Sequence, residues 1–133
     1  MPKLVLIADD DPKNVLLAKD LLEVLGCETL TAVNGQEAVD MARARRPDLV
    51  LMDIQMPVMD GMQATRLLRS DPETAGIPIV AVTASVMAGQ RAQVMESGVD
   101  GFIAKPIEVR DFMKRVKGLL DGDRAAGGER TDA

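Results

Sequence analysis

Short apolar, β-branched segments alternate along the chain with longer segments in which apolar residues recur at helical spacing. The apolar segments predict five strands, at 3–8, 28–33, 48–53, 77–83 and 101–104. The segments between them predict five helices, near 12–25, 35–45, 61–69, 86–97 and 107–120. Such alternation is typical of an α/β fold in which helices cover both faces of a parallel sheet. Three strands, the first, third and fourth, are apolar nearly throughout, as strands buried on both faces are.

Residues that begin and end helices support this segmentation. Asp11 followed by Pro12 is typical of a helix N-cap with proline at the first helical position. Gly26 and Gly98 stand where the first and fourth helices are expected to end.

Two dipeptides and the end of the chain predict irregular structure. Asn34-Gly35 and Asp60-Gly61 have the composition of turns. Residues 121–133 lack both periodicity and large apolar groups, so we predict a disordered tail there.

Composition narrows the classes of protein. The chain has 133 residues, 47% of them hydrophobic and 28% charged, which suits one globular domain. No apolar run approaches the roughly 20 residues that span a bilayer, and the N-terminus shows no secretory signal. Cys27 is the one cysteine, which excludes an internal disulfide and fits the reducing cytoplasm.

Charge and the absence of histidine exclude several functions. The formal net charge is -5 and the aromatic residues are Phe102 and Phe112, so direct binding of nucleic acid is not expected. Because the chain has no histidine, it can form no Ser-His-Asp triad, histidine zinc site or phosphohistidine. Its chemistry must therefore use carboxylates, hydroxyls, lysine, backbone groups or a hard metal ion.

Polar side chains stand at the ends of four predicted strands. The first strand ends at Asp9 and Asp10, the third at Asp53, the fourth at Thr83 and the fifth at Lys105. Ligands of open parallel sheets bind outside the carboxyl ends of the strands. If the first and third strands are neighbours, the three carboxylates converge.

Three converging carboxylates do not all stay ionised without a cation. Mg²⁺ fits, because it binds oxygen ligands, retains waters and leaves room for a phosphate. Lys105 would add a second positive charge and Thr83 a hydroxyl donor. Since a carboxylate can act as a nucleophile and form an aspartyl phosphate, the pattern favours a site of phosphoryl transfer.

Together these motifs resemble the receiver domain of two-component response regulators. The resemblance covers about residues 3–120 and rests on four motifs in order: Asp9-Asp10, LVLMDIQMPVMDG around Asp53, VTA at Thr83 and FIAKP at Lys105. It implies a flavodoxin-like, doubly wound sheet with strand order 2-1-3-4-5, formed by a receiver domain at 1–120. The type is similar to single-domain chemotaxis and DivK-like regulators, although excision from a longer hybrid kinase stays open.

The resemblance implies a role for each acidic motif residue. Asp53 would accept a phosphoryl group from a histidine kinase or a histidine phosphotransfer protein. Asp9, Asp10, Asp53 and the backbone carbonyl of Gln55 would hold Mg²⁺, with Mn²⁺ as a substitute and Asp9 acting through water. The third aspartate of the run, Asp11, would only cap the first helix.

The resemblance also implies how phosphorylation of Asp53 would change a distant surface. Thr83 and Lys105 would bind phosphoryl oxygens, and the Lys105-Pro106 peptide bond would be cis. Phe102 would be the switch aromatic that turns inward when Thr83 moves. The fourth helix, fifth strand and fifth helix would then form the surface for a downstream protein, with dimerisation on phosphorylation left open.

A receiver would catalyse only its own phosphorylation and dephosphorylation, so we do not otherwise expect an enzyme. Two other functions compete with this interpretation. A haloacid-dehalogenase-type phosphatase also uses an aspartate, Mg²⁺, a hydroxyl and a lysine. That family needs an acid two positions after its nucleophile, where this chain has Gln55. The other alternative is a constitutive binding module whose cation site is structural.

The first predicted helix carries one further hypothesis. Its apolar face is formed by Leu17, Ala18, Leu21, Leu22 and Leu25. Leu16 falls instead on the polar side, beside the start of the helix and the acidic pair. We therefore expect Leu16 and Val15 to help dock the helix of a phosphodonor.

Overall fold

Strands and helices alternate strictly in the computed structural model, which describes residues 2–83 and 88–122. The strands are β1 (Leu4–Ala8), β2 (Glu28–Ala32), β3 (Leu49–Asp53), β4 (Ile79–Thr83) and β5 (Gly101–Ala104). The helices are α1 (Pro12–Val24), α2 (Gly35–Arg45), α3 (Gly61–Ser70), α4 (Ala88–Glu96) and α5 (Val109–Leu120). All ten predicted elements are confirmed, except that the predicted start of the fourth helix, at 86–87, lies outside the described residues.

The sheet is parallel throughout, with strand order β2-β1-β3-β4-β5, which confirms the doubly wound fold. Its register explains where the polar strand ends go. Ala8 of β1 pairs with Met52 of β3, so the residues that follow them, Asp9 and Asp53, are neighbours at the carboxyl edge. Thr83 of β4 pairs with Ala104 of β5, so Lys105, which follows Ala104, also lies at the carboxyl edge.

Apolar side chains from both faces of the sheet form two core layers. One layer contains residues of α2, α3 and α4, including Ala38, Val39, Ala42, Ala64, Leu68 and Val94. The other contains residues of α1 and α5, including Ala18, Leu22, Phe112, Val116 and Leu119. Because both faces are covered, every residue of β3 and β4 is buried, as their continuous apolar character predicts.

Helix ends follow the predicted signals. The Asp11 side chain accepts a hydrogen bond from the Lys13 amide, and Pro12 begins α1, which confirms the N-cap. Gly26 and Gly98, at the ends of α1 and α4, have φ angles of 81° and 110°, which favour glycine.

The two predicted turns are wrong. Asn34 and Asp60 are N-caps of α2 and α3, and the glycine after each is the first residue of the helix. A Cβ at Gly35 would overlap the carbonyl of Met59, and one at Gly61 would overlap the carbonyl of Asp53. These glycines therefore permit close packing between distant segments, which a local pattern cannot distinguish from a turn.

The C-terminal end of α5 is closed by the first residues of the predicted tail. The backbone amides of Asp121 and Gly122 donate to the carbonyls of Lys117 and Leu119. The rest of that prediction, 123–133, lies outside the described residues. None of the helices in the described part of the chain combines the length and apolar character that a membrane span requires.

Candidate phosphoryl-acceptor and metal site

The acidic residues predicted to converge do so at the carboxyl edge of the sheet. Asp9, Asp10 and Asp53 each direct a carboxylate oxygen into a group whose members lie within 4.8 Å of one another. Asp9 and Asp53 are buried, while Asp10 is exposed. The site is therefore anchored inside the fold and open on one side.

Lys105 joins the two buried carboxylates. Its Nζ lies 3.0 Å from Asp9 Oδ2 and 3.4 Å from Asp53 Oδ2. The strand pairing positions it, because its backbone amide donates to the carbonyl of Thr83 at 2.9 Å. Burial lowers the pKa of Lys105, but the hydrogen bond that Lys105 donates to Asp9 and the charge of Asp53 outweigh burial and raise it overall. The side chain is therefore an ammonium ion near neutral pH.

Backbone amides hold the other oxygen of each buried carboxylate. Asp9 Oδ1 accepts from the Asp11 amide at 2.9 Å, and Asp53 Oδ1 accepts from the Gln55 amide at 3.2 Å. The cap residue Asp11 thus contributes to the site through its backbone, while its side chain serves α1.

Negative charge remains in excess despite these contacts. Burial and the neighbouring charge of Asp9 raise the pKa of Asp53 from 3.8 to about 6, and Lys105 offsets this only in part. The donor set, three carboxylates with an exposed side, is one that suits Mg²⁺, which prefers oxygen ligands and keeps several waters. The residues present therefore fit a hard divalent cation.

Thr83 ends β4 on the other side of Asp53 and is buried. It borders a cleft of about 510 Å³ together with Asp10, Gln55 and residues of α4 such as Val94. The cleft thus extends from Asp10 of the acidic group to α4, and Thr83 lies on its border.

A family model now identifies this arrangement. The model for the response regulator receiver domain matches residues 5–117. The chain belongs to this family.

Relatives agree with that assignment. The polar-differentiation response regulator DivK of Brucella anthropi is 44% identical over 120 residues, which are 90% of this chain and 98% of DivK. A receiver domain of a Pseudomonas aeruginosa sensor histidine kinase has a TM-score of 0.85 at 29% identity, covers 92% of this chain and is itself covered completely. That structure has a magnesium ion coordinated in its active-site cleft.

A second solved structure belongs to a histidine kinase as well. The receiver domain from Syntrophus aciditrophicus is 35% identical, with a TM-score of 0.84 over 90% of this chain and 91% of that one. The fold and the acidic group of this receiver are thus those of its family.

The remaining residues predicted for the receiver lie as follows. Phe102 is buried in the same core layer as Val94 of α4, so its ring already faces inward. The Lys105-Pro106 bond is cis, as the resemblance implied. The structure brings Thr83 and Lys105 to the acidic group but leaves their roles, and that of Phe102, as predictions.

Leu16 of α1 is 60% exposed, although the buried part of the helix follows the predicted face. It lines a groove of about 480 Å³ that also includes Asp9, Asp10 and Val15. Sequence reasoning missed one wall of this groove, Val33, which is exposed just beyond β2. The pattern held no signal for this wall, because the predicted strand 28–33 included Val33, whereas β2 ends at Ala32.

Proposed function

We propose that this receiver is a signalling switch that takes a phosphoryl group onto Asp53 in a Mg²⁺-dependent reaction. The observation that carries the proposal is the buried Asp53 carboxylate, joined to Asp9 through Lys105 and grouped with Asp10. The donor is a phosphohistidine of a histidine kinase or of a histidine phosphotransfer protein. Its family membership supports this class of donor.

The transfer is a substitution at phosphorus. An Asp53 oxygen forms a new bond to the phosphorus while the phosphorus–nitrogen bond of phosphohistidine breaks. The bonding electron pair stays on the imidazole nitrogen, which then takes up a proton. Asp9, Asp10, Asp53 and the Gln55 carbonyl would hold Mg²⁺ or Mn²⁺, which supplies positive charge for the phosphoryl oxygens. Lys105 and the Thr83 hydroxyl stabilise the same oxygens from the protein side.

Phosphorylation would alter the surface formed by α4, β5 and α5. The cleft beside Thr83 reaches α4, and Phe102 lies beneath α4 on β5, which supports a path from the site to this surface. In the proposal, Thr83 moves toward the phosphoryl group and a downstream protein target recognises the result. The buried Cys27 thiol is consistent with the reducing cytoplasm as its location.

A helix of the phosphodonor would dock in the groove beside α1. The groove is lined by Leu16 and Val15 and shares Asp9 and Asp10 with the acidic group, so a helix lying there can present its histidine to Asp53. Leu16→Glu should slow transfer from a protein donor and leave phosphorylation by acetyl phosphate unchanged. Equal losses with both donors would contradict this docking mode.

One experiment tests the central reaction. The protein is incubated with Mg²⁺ and acetyl phosphate, and its intact mass is measured before and after acid treatment. We expect one acid-labile phosphoryl group, absent without a divalent cation and absent in Asp53→Asn. Asp20→Asn is the matched control, because Asp20 is an exposed aspartate of α1 outside the acidic group.

The same experiment separates the alternatives. Repeated turnover of an organic phosphate would indicate a phosphatase, which family membership and the glutamine at position 55 disfavour. Absence of any covalent adduct would indicate a binding module with a structural cation site. Self-association of the phosphorylated protein, measured by sedimentation, decides whether the switch also controls dimerisation.

A further inference from the structure

The outer side of α3 and the loop before it carry exposed apolar side chains next to a charged one. Val58 and Leu67 are 81% and 38% exposed, and Met59 is only partly buried between them and the core. They border an open groove of about 520 Å³. We define the α3 patch as the residues lining this groove, Val58, Met59, Gln63, Arg66, Leu67 and Ser70.

The backbone conformation at position 58 is unfavourable for a valine. Its φ is 69°, in the left-handed region that β-branched residues disfavour and that glycine or asparagine adopts readily. Arg46 also has a positive φ, but it closes α2 and pairs with Glu73. The Met59 amide donates to the Pro57 carbonyl at 2.7 Å, so Val58 stands at the centre of a tight turn, and its side chain is mostly exposed.

Arg66 gives the patch its charge. No ion pair joins Arg66 to another residue within the described ranges, and its side chain is exposed. Two other arginines nearby do form ion pairs: Arg43 of α2 pairs with Asp71, and Arg46 at the C-cap of α2 pairs with Glu73. The patch therefore combines apolar area with a positive charge that is available to a carboxylate.

We propose that the α3 patch binds a partner protein through an amphipathic helix whose apolar stripe is flanked by carboxylates. Gln63, Arg66, Leu67 and Ser70 have the i, i+3, i+4, i+7 spacing of one helix face, which suits helix-on-helix packing. Val58 would form the end of the apolar contact, and Arg66 would pair with an acidic residue at its rim. The patch contains no residue of α1, α4, β5 or α5, so it is separate from both surfaces proposed above.

The test uses two synthetic amphipathic helical peptides with the same leucine stripe, one flanked by glutamate and the other by lysine. Each is titrated into the isotope-labelled full-length protein, and backbone amide shifts are recorded by nuclear magnetic resonance. The glutamate peptide should shift the amides of Val58, Gln63, Leu67 and Ser70 in a saturable way. The lysine peptide should bind up to about fivefold more weakly, as expected for the loss of one rim ion pair.

Variants separate the patch from general hydrophobic binding. Leu67→Glu should weaken binding of the glutamate peptide roughly tenfold, whereas Val24→Glu, at a valine 75% exposed on α1, should not. Arg66→Glu should reverse the preference to the lysine peptide. Val58→Asn should raise the urea midpoint of unfolding, because asparagine adopts a positive φ more readily than valine. It should also weaken binding of the glutamate peptide, because it removes the apolar contact.

Three results would overturn the proposal. One is equal binding of both peptides, and another is a set of shifts that avoids the patch. The third is a concentration-dependent dimer of the protein that Leu67→Glu abolishes, since a second copy of the chain would then be the occupant. All three are independent of phosphorylation, so failure here leaves the function proposed for Asp53 untouched.

Discussion

The two edges of the sheet each contain a partly buried ion pair, but the charges around the pairs differ. At the amino edge, Arg69 Nη2 lies 2.9 Å from Asp100 Oδ2, and at the carboxyl edge Lys105 Nζ lies 3.0 Å from Asp9 Oδ2. The Arg69 guanidinium also donates to the carbonyls of Gly98, Ala75 and Ile77. Asp100 in turn accepts from the Ile79 amide.

This comparison shows that the length of an ion pair does not distinguish a structural contact from a functional one. One guanidinium meets one carboxylate and several carbonyls at the amino edge, so donors and acceptors are matched and α3 is tied to the segments before β4 and β5. The carboxyl edge groups three carboxylates around Lys105. We expect that excess of negative charge to weaken the fold without a cation, and the proposed cation and phosphoryl group would bind there.

The largest effect is expected at the amino edge. Arg69→Met would leave the Asp100 carboxylate without its guanidinium, so the free energy of unfolding should fall by about 3 kcal/mol in urea titrations. Phosphorylation of the folded protein should persist. Arg66→Met, at an exposed arginine of the same helix, is the control and should change stability by less than about 0.5 kcal/mol. Similar losses in both variants would contradict a structural role specific to this edge.

The carboxyl edge should respond to metal instead. Mg²⁺ at a hundred times its dissociation constant should raise the free energy of unfolding by about 2.7 kcal/mol. Asp10→Asn and Asp53→Asn should lose most of this gain, whereas Arg69→Met should keep it. Urea unfolding with Mg²⁺ and with a chelator measures this gain in the free energy of unfolding. A gain of the same size in Asp53→Asn would mean that the cation binds outside the acidic group.

The pH dependence of stability without metal should reveal the burial of Asp53 and its repulsion by Asp9. The pKa of Asp53 is raised from 3.8 to about 6, so the folded state binds the proton more tightly than the unfolded state. The free energy of unfolding should therefore fall as pH rises from about 4 to about 6, by about 2 kcal/mol relative to Asp53→Asn in chelator. Parallel pH curves for the two proteins would argue against a pKa of Asp53 raised by burial and by Asp9.

The smallest effect concerns the third aspartate of the run. Asp11→Ala should cost about 1 kcal/mol through the lost helix cap, and Asp11→Ser should cost less because serine also caps. Both should still be phosphorylated by acetyl phosphate, since the Asp11 amide that holds Asp9 is kept. Asp10→Ala should abolish that reaction. If Asp11→Ser and Asp10→Ala lost phosphorylation equally, the division between cap and metal ligand would be wrong.

Much of this site could be predicted because parallel strands bring their carboxyl ends together. The strand ends were recognisable from apolar runs that stop at Asp9, Asp53, Thr83 and Lys105, and the register then makes them neighbours. The Arg69–Asp100 pair could not be predicted. Its residues are 31 positions apart and lie in a helix and a loop with no motif.

The sequence by itself determined the order of elements and the N-cap of α1, because hydrophobic period and the Asp11-Pro12 capping signal are local. It also determined which residues end the strands. Only the tertiary structure decided that Gly35 and Gly61 serve close packing, and that Val58 has a left-handed backbone. It likewise decided that Lys105 joins Asp9 to Asp53. The glycine and lysine contacts depend on atoms contributed by segments distant in the chain, and no local pattern contains that information.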